Sequence, residues 1–342
     1  MPTGSSVWGN EKTKFFDQLT PDHVLNSIEK LGYKVTGRLQ PMASMENRVY
    51  EIEYDNPKAQ NVSEVFLMAK FYRPGRWSKD QIQQEHDFLF DLLESEISVI
   101  APIKIDGVSL FENEQGLYFA LFPKMGGRAC DEWTDELLEQ MGRLLARVHS
   151  IGKTRSANHR LNLDINTFGV ENLAVILDSE YLPLEYQSSY RKVCEDIFEA
   201  SKDFFQNINY QRVHGDCHHG NILLNQGRPF LIDFDDMSMG PAVQDIWMTI
   251  PGRDQESNIQ RSILLEAYQS MNSFDQRELK LIEPLRSLRI IHFSAWISLR
   301  FKDQSFQRAF TNFGTHQYWE QELAQLREQH RIIEESKWEI WS

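Results

Sequence analysis

Cysteine is scarce in this 342-residue chain: Cys130, Cys194 and Cys217 are the whole set. Three thiols cannot all pair, and their spacing matches no metal-ligand pattern. Reduced packing residues are therefore expected, not a disulfide framework or a structural zinc site. Basic residues are also short, 36 Lys and Arg against 50 Asp and Glu, which leaves a formal net charge of −14. That balance opposes non-specific binding to nucleic acid or to an anionic membrane, because phosphate-rich surfaces select basic faces. A nucleotide can still bind where local cations reverse the field. No stretch stays apolar for about 18 residues, and Met1 to Asn10 lacks the apolar core of a signal peptide. Internal repeats and low-complexity segments are missing too. What is left is the profile of a cytoplasmic globular protein, 41% hydrophobic and long enough for two lobes around a cleft.

Against that background one run stands out, Val213-His214-Gly215-Asp216-Cys217-His218-His219-Gly220-Asn221-Ile222-Leu223-Leu224, followed by Phe230-Leu231-Ile232-Asp233-Phe234. It sets an Asp, then an Asn five residues later, then an Asp behind a second short apolar stretch. Phosphoryl transfer needs this set: a carboxylate, Asp216, to meet the attacking hydroxyl, and an amide oxygen and second carboxylate, Asn221 and Asp233, to hold Mg²⁺. The apolar stretches have strand composition and Asn225 to Pro229 reads as their turn. Asn221 and Asp233 are then expected at the mouth of one hairpin. His214 is expected to pin the loop. For His218 and His219 the spacing offers no further zinc ligands. Asp235 reads as charge near the metal, Asp236 as a solvated cap.

These motifs carry a resemblance. The chain resembles the aminoglycoside-phosphotransferase/choline-kinase branch of the protein-kinase-like fold, in which H-G-D stands where eukaryotic protein kinases have H-R-D. Within that branch it is similar to the bacterial stress response kinase A type of Ser/Thr protein kinase. The resemblance runs over Ser44 to Tyr50, Lys70 to Trp77, the catalytic run, Gly240 to Trp247 and Ile282 to Arg286, and the runs Tyr72 to Trp77 and Gly240 to Trp247 narrow it to this type. The resemblance implies an α+β, bilobal fold with a small antiparallel-sheet N-lobe and a larger, mainly helical C-lobe. It implies a nucleotide-binding lobe over residues 1–124 and a catalytic and substrate lobe over 125–342. ATP and Mg²⁺ are the implied co-substrate and cofactor, and a protein hydroxyl the implied acceptor, with the chain acting as a monomer. By resemblance Ser44 lies at the ATP, with Asn47 as a second polar contact, although Ser and Asn also favour turns for local reasons. No G-x-G-x-x-G precedes the first strands, so the phosphate cover must use side chains and ordinary backbone amides. D-F-G is replaced by Asp233-Phe234-Asp235, and no typical activation loop with a phosphosite is visible.

Periodicity supplies the rest. Val24, Leu25, Ile28 and Leu31 mark a helix over Pro21 to Leu31. Val49 to Tyr54 and Val65 to Tyr72 have strand composition and are expected to pair antiparallel. On the second strand Lys70 shares a face with Phe66 and Met68, which alone reads as a snorkelling side chain. Ser78 to Gln81 has capping-box form, and the helix it opens carries Glu85 inside the stripe of Ile82, Phe88, Leu89 and Leu92. A carboxylate there needs a cation. The kinase-like fold supplies a strand Lys that touches the phosphates and is steadied by such a Glu, so Lys70 and Glu85 are paired by resemblance. Tyr118 to Pro123 with Lys124 to Gly127 matches, by its place in the order of motifs, the last small-lobe strand and the hinge, although an ordinary core strand and turn explain the composition equally well. Asp135 to His149 is expected as a core helix without site residues. Residues 152–210 are hardest to read, with one helix around Tyr190 to Phe205. Gly240-Pro241 turns into a helix with Asp245 near its start, which by resemblance accepts hydrogen bonds from the catalytic loop. Further helices are expected over Ile259 to Met271, Leu279 to Leu299 with a kink at Pro284, and Tyr318 to Ile333, with Trp338 and Trp341 docking on the body. Two other readings stay open: a phosphotransferase for a small hydroxyl compound, and a pseudokinase, against which the full set of catalytic residue types argues.

Overall fold

The computed structural model describes residues 16 and 19–338, the last two by backbone alone. The extreme N-terminal residues and the docking expected of Trp338 and Trp341 lie outside that description. Helix α1 (Pro21–Glu29) opens on a capping box between Thr20 and His23 and has Pro21 in its first turn, where a missing N–H costs nothing. It ends two residues before the expected Leu31. Strands β1 (Val35–Pro41), β2 (Arg48–Tyr54) and β3 (Phe66–Phe71) follow, then α2 (Lys79–Glu94), β4 (Phe111–Glu112) and β5 (Tyr118–Pro123). They form one antiparallel sheet in the order β1-β2-β3-β5-β4, with Lys70 opposite Val49 and Ala120. Alternation sends Leu67, Ala69 and Phe71 into a core with Val24 and Ile28 of α1, and therefore turns Lys70 to the other face.

Helix α2 begins at the expected capping box of Ser78 and Gln81. Its residues Phe88, Leu89 and Leu92 do not join the small-sheet core. They pack with Met141 and Leu145 of α3 (Asp135–Gly152) and with Phe234, so the helix is anchored in the larger core. The larger part continues through β6 (Arg128–Ala129), α3, a wide helical turn at Ile165–Val170, α4 (Glu171–Leu177) and α5 (Leu184–Ser201). Next come β7 (Gln211–Val213), β8 (Ile222–Asn225), β9 (Arg228–Leu231), β10 (Ser238–Gly240), α6 (Val243–Thr249) and α7 (Gln255–Gln269). Helices α8 (Ile282–Arg300), α9 (Gln304–Ala309) and α10 (His316–Trp338) complete it. Gly142 is what allows α3 and α7 their close approach, because a Cβ there would strike the Leu264 carbonyl oxygen. The expected hairpin forms between β8 and β9 over a two-residue turn, Gln226 and Gly227, both at positive φ. All three cysteines are free and buried.

Two expectations are corrected here. Pro284 does not kink a long helix: Gln276–Leu281 is a tight 3₁₀ segment, and α8 starts at Ile282 with Pro284 in its first turn. An apolar period running through both segments hid the junction. In the 152–210 region, α5 ends at Ser201, and Asp164 caps the turn that leads into α4, neither of which apolar spacing revealed. Among the described residues no helix is long and apolar enough to cross a membrane.

Helices α5, α8 and α10 meet around one buried carboxyl. Glu322 accepts from Tyr190 Oη at 2.5 Å and from Ser294 Oγ, and Tyr318 Oη lies 2.6 Å from the same Ser294 oxygen. Burial, only partly offset by these hydroxyl donors, pushes its pKa up to about 7 from an ordinary 4.5. The folded-state value is thus above the unfolded one, so the protonated form favours folding. That contribution is complete below about pH 4.5 and is lost as pH rises through 7, a swing of about 3 kcal/mol. Glu322→Gln should therefore raise the melting temperature clearly at pH 8 and hardly at pH 4.5. Calorimetry across that range checks it; equal shifts at both ends would contradict the assignment.

Candidate active site

Strand β7 delivers the chain into a loop held from every side. Gly215 adopts φ 86°, and a Cβ there would collide with the Asp236 carbonyl oxygen, so this turn accepts glycine alone. Asp245, at the start of α6, accepts from the His214 N–H at 2.8 Å and the Gly215 N–H at 2.9 Å. His149 Nε2 lies 3.0 Å from the same carboxylate, so the end of α3 supports the loop although its stripe reads only as core. Gln244 donates to the Gly215 carbonyl at 2.8 Å, and Trp247 donates to Gln244. The His214 ring reaches the Ile232 carbonyl at 2.9 Å, tying the loop to the segment that carries Asp233.

Asp216 faces two partners. Arg289 Nη1 of α8 is 2.8 Å from its Oδ1 and His218 Nε2 is 3.4 Å from its Oδ2. Gly220 donates to His218 Nδ1, which leaves the ring proton on Nε2, toward Asp216. Burial would raise the Asp216 carboxyl, but the His218 hydrogen bond and the Arg289 charge hold it well below the usual carboxylate range. Asn221 donates its amide N–H to the Asp216 carbonyl at 2.9 Å, which fixes the amide orientation. Its Oδ1 has no hydrogen bond among the described residues. Across the hairpin mouth, where Asn221 accepts from the Ile232 N–H, Asp233 stands in the left-handed region at φ 58° with its side chain 52% exposed. Asp is one of the few non-glycine residues that this region tolerates readily. One amide oxygen and one carboxylate suit a hard divalent cation that shares its shell with phosphate and water. No three His, Cys, Asp or Glu converge as a protein-only metal cage among the described residues.

Lys70 and Glu85 come together as expected, 3.4 Å apart, with Glu85 1% exposed. The pair is not exclusive. Lys70 Nζ also lies 3.0 Å from Asp233 and 3.2 Å from Asp235. Burial acts against the ammonium, yet these carboxylates carry its pKa well above the ordinary value, while burial pushes Glu85 up to about 7. Asp235 is buried and bridges Lys70 to Arg76, whose Nη1 is 2.6 Å away. Asp236, read as a solvated cap, instead pairs with Arg76. Arg160, from the poorly readable region, stacks over Trp77 and donates to the carbonyls of Gln81, Asp235 and Met237, stapling α2 to the Asp233 segment.

The loop that stands in place of a glycine-rich cover, residues 42–47, is fastened by Glu46. Arg300 of α8 contacts both its oxygens at 2.8 and 2.9 Å, Trp296 Nε1 donates at 2.7 Å, and Arg73 approaches to 3.3 Å. Burial would raise this carboxyl, but Arg300, Arg76 and Arg73 together drive it far below its ordinary value. Ser44 lines the cavity beneath. Asn47 also borders it, but is buried with its Oδ1 accepting from the Arg73 N–H at 3.1 Å, so half of its amide serves the loop itself. The cavity, about 550 Å³, lies between Asp216 and Asp233 on one side and α8 on the other.

A family model described as the phosphotransferase enzyme family matches residues 38–282. The chain belongs to that family. Stress response kinase A of Escherichia coli (strain K12) is 34% identical over 327 residues, 95% of this chain and 97% of that protein. The serine/threonine protein kinase RdoA of Salmonella typhimurium (strain LT2) is 33% identical over the same share. Among solved structures, amicoumacin kinase hAmiN in complex with AMP-PNP, Ca²⁺ and Ami superposes with a TM-score of 0.71 at 22% identity, covering 94% of both chains. At that identity the likeness concerns the fold, and it is the bilobal, mixed helix-and-sheet fold the sequence resemblance implied.

In this phosphotransferase the residues that composition and spacing missed are Glu46, Arg76, Arg160, Arg289 and Arg300. The run Tyr72 to Trp77 was a signal for Arg76, since it marked a family likeness without a chemical task. Removing one member of a buried charge cluster strands the others, at a cost of about 3–5 kcal/mol. Glu46→Gln should accordingly lower thermal stability by that order, while adding Arg300→Met should restore part of it. Differential scanning calorimetry of the singles and the double measures the coupling; strict additivity would mean that the latch contributes nothing as a pair.

Proposed function

We propose that this phosphotransferase is an ATP- and Mg²⁺-dependent serine/threonine protein kinase, passing the γ-phosphate of ATP to a protein hydroxyl. The observation that carries the protein acceptor is the likeness, along 95% of the chain, to stress response kinase A and to the Salmonella protein named a serine/threonine protein kinase. On this reading residues 1–124 form the nucleotide lobe and 125–342 the catalytic and substrate lobe. The strap from Lys124 to Gly127 meets the adenine edge, and Ser44 and Asn47 approach the nucleotide from the cover loop. Asn221 and Asp233 would hold Mg²⁺, which when bound neutralises charge on the transferring phosphoryl group. Lys70, steadied by Glu85, holds the phosphates. Asp216 orients the acceptor hydroxyl. The hydroxyl oxygen bonds to the γ-phosphorus as the bond to the β–γ bridging oxygen breaks, and the proton passes to Asp216. His218 and Arg289 keep Asp216 in its carboxylate form, the form that accepts a hydrogen bond from the hydroxyl.

A second reading, a small hydroxyl compound as acceptor, is supported by the cavity, whose roughly 550 Å³ lies within the range of small-ligand sites. Labelled-ATP transfer to a generic protein substrate, run beside a panel of small alcohols, separates the two. Label in protein favours the first reading, label in an alcohol alone the second.

Two outcomes test the site itself. Asp216→Asn should reduce kcat by about 10²- to 10⁴-fold with nucleotide affinity nearly unchanged, because the phosphates are held elsewhere. Asp233→Asn should weaken nucleotide binding as well as turnover, and calorimetry should find ATP bound poorly once a chelator removes divalent cations. Full activity in either folded variant, or equal ATP affinity with and without the chelator, would mean that the roles are misassigned.

A further inference from the structure

The acceptor side of the cavity has a chemistry that the transfer motif does not require. Helix α8 presents Leu285, Leu288, Arg289, His292, Phe293 and Trp296 to it, the spacing of a single helix face. His292 adds no charge: burial first, then Arg289 and other guanidinium groups, push its pKa down to about 3. Its ring is held between Phe168 and the Asn172 amide. Arg289 is thus the one charged side chain on this face, and 39% of it remains exposed.

Opposite this face, each carboxylate already faces a cation: Asp216 has Arg289, Asp233 has Lys70, Asp235 has Lys70 and Arg76, Asp236 has Arg76, and Glu46 has Arg300. Among the described residues a cationic acceptor would find no cavity carboxylate free of such a partner. Arg289 is different, because a guanidinium carries five N–H donors in a planar fork, Nη1 lies 2.8 Å from Asp216, and part of the side chain is still exposed. One guanidinium can hold Asp216 and a second anion together, offsetting the repulsion between them. Farther along the helix Phe293 stands 43% exposed beside the half-buried Trp296, 5.6 Å away between ring centroids, and both border the cavity.

We propose that Arg289 is a specificity-determining residue: the acceptor carries a carboxylate or phosphate next to the hydroxyl that is phosphorylated, Arg289 binds that anion, and an apolar group of the acceptor packs on Phe293 and Trp296. This rests on the reading of Asp216 as the group that meets the acceptor hydroxyl. It covers both sources of the chemistry, a Ser or Thr beside an acidic residue in a protein and a free hydroxy acid or phosphorylated alcohol.

The test uses the full chain with Mg²⁺ and ATP. One arm offers peptides in which a Ser is flanked by Glu, Gln or Lys, each with a neighbouring Leu; the other offers small hydroxy acids beside their amides. The wild type should favour the acidic member of a series by about 10- to 100-fold in kcat/KM, as loss of a charge-assisted hydrogen bond implies. The arm that is labelled identifies the source. In Arg289→Gln the acidic-over-neutral ratio should fall toward one, chiefly through KM, and Arg289→Lys should recover part of it. If Arg289 only clamps Asp216, the substitution lowers kcat for every acceptor alike and leaves the ratio standing, which overturns the proposal; so does a preference for the Lys peptide. Calorimetric binding of the same acceptors in the presence of AMP-PNP gives a readout independent of turnover. Acidic acceptors bound by the wild type and lost in Arg289→Gln, with no transfer, would uphold the anion site and reject the role given to Asp216. Equal binding of acidic and neutral acceptors would reject the anion site.

Discussion

A buried ammonium must be surrounded by carboxylates or give up its proton, and Lys70 is the point from which the rest of this site follows. Three carboxylates surround it, and each comes from or leads to another part of the fold: Glu85 from α2, Asp233 from the hairpin exit, Asp235 from the turn after it. Those acids gather more negative charge than one lysine balances. Arg76 therefore lies against Asp235 and Asp236, and Arg160 is held against the backbone of the same turn. The small sheet, α2 and the catalytic segment are thus joined through charge in a medium of low polarity, where an unpaired member is far costlier than a lost surface ion pair.

Much of this was legible in the residues. The catalytic run combines three polar side chains with short apolar stretches, and both properties survive in a single reading of the chain. Ser78 and Gln81 announced α2 because capping chemistry is local. Glu85 stood out because a carboxylate in an apolar stripe is a contradiction that only a partner resolves. Glu46, Arg289 and Arg300 gave no such sign. Each has an acceptable local explanation on a loop or a helix, and its partner lies far off in sequence, so only the folded chain reveals the pairing. Asp236 misled for a related reason: Asp in a tight turn caps so often that its ion pair with Arg76 leaves no trace. The start of α8 was blurred because a 3₁₀ segment and an α-helix carry nearly the same apolar spacing over one turn.

Asp, Asn and Asp at this spacing serve any hydroxyl, so the transfer chemistry does not choose the acceptor. On the proposed reading, that choice falls to the surfaces facing Asp216. Here they belong to α8, the same helix that fastens the cover loop through Arg300 and Trp296. One helix thus both fastens the 42–47 loop and lines the cavity beside Asp216.

In eukaryotic protein kinases the helix that bears the glutamate partner of the lysine changes position, and that movement switches activity on and off. Helix α2 has little freedom to do this. Phe88 meets Phe234 edge to face at 5.8 Å, Leu89 and Leu92 are sealed into the large core, and Arg160 stitches the first turn to the catalytic segment. Swinging it outward would expose three large apolar side chains and break the core of the other lobe. The helix is held as a strut between the small sheet and the larger core, so an outward swing of Glu85 would first have to unpack that core.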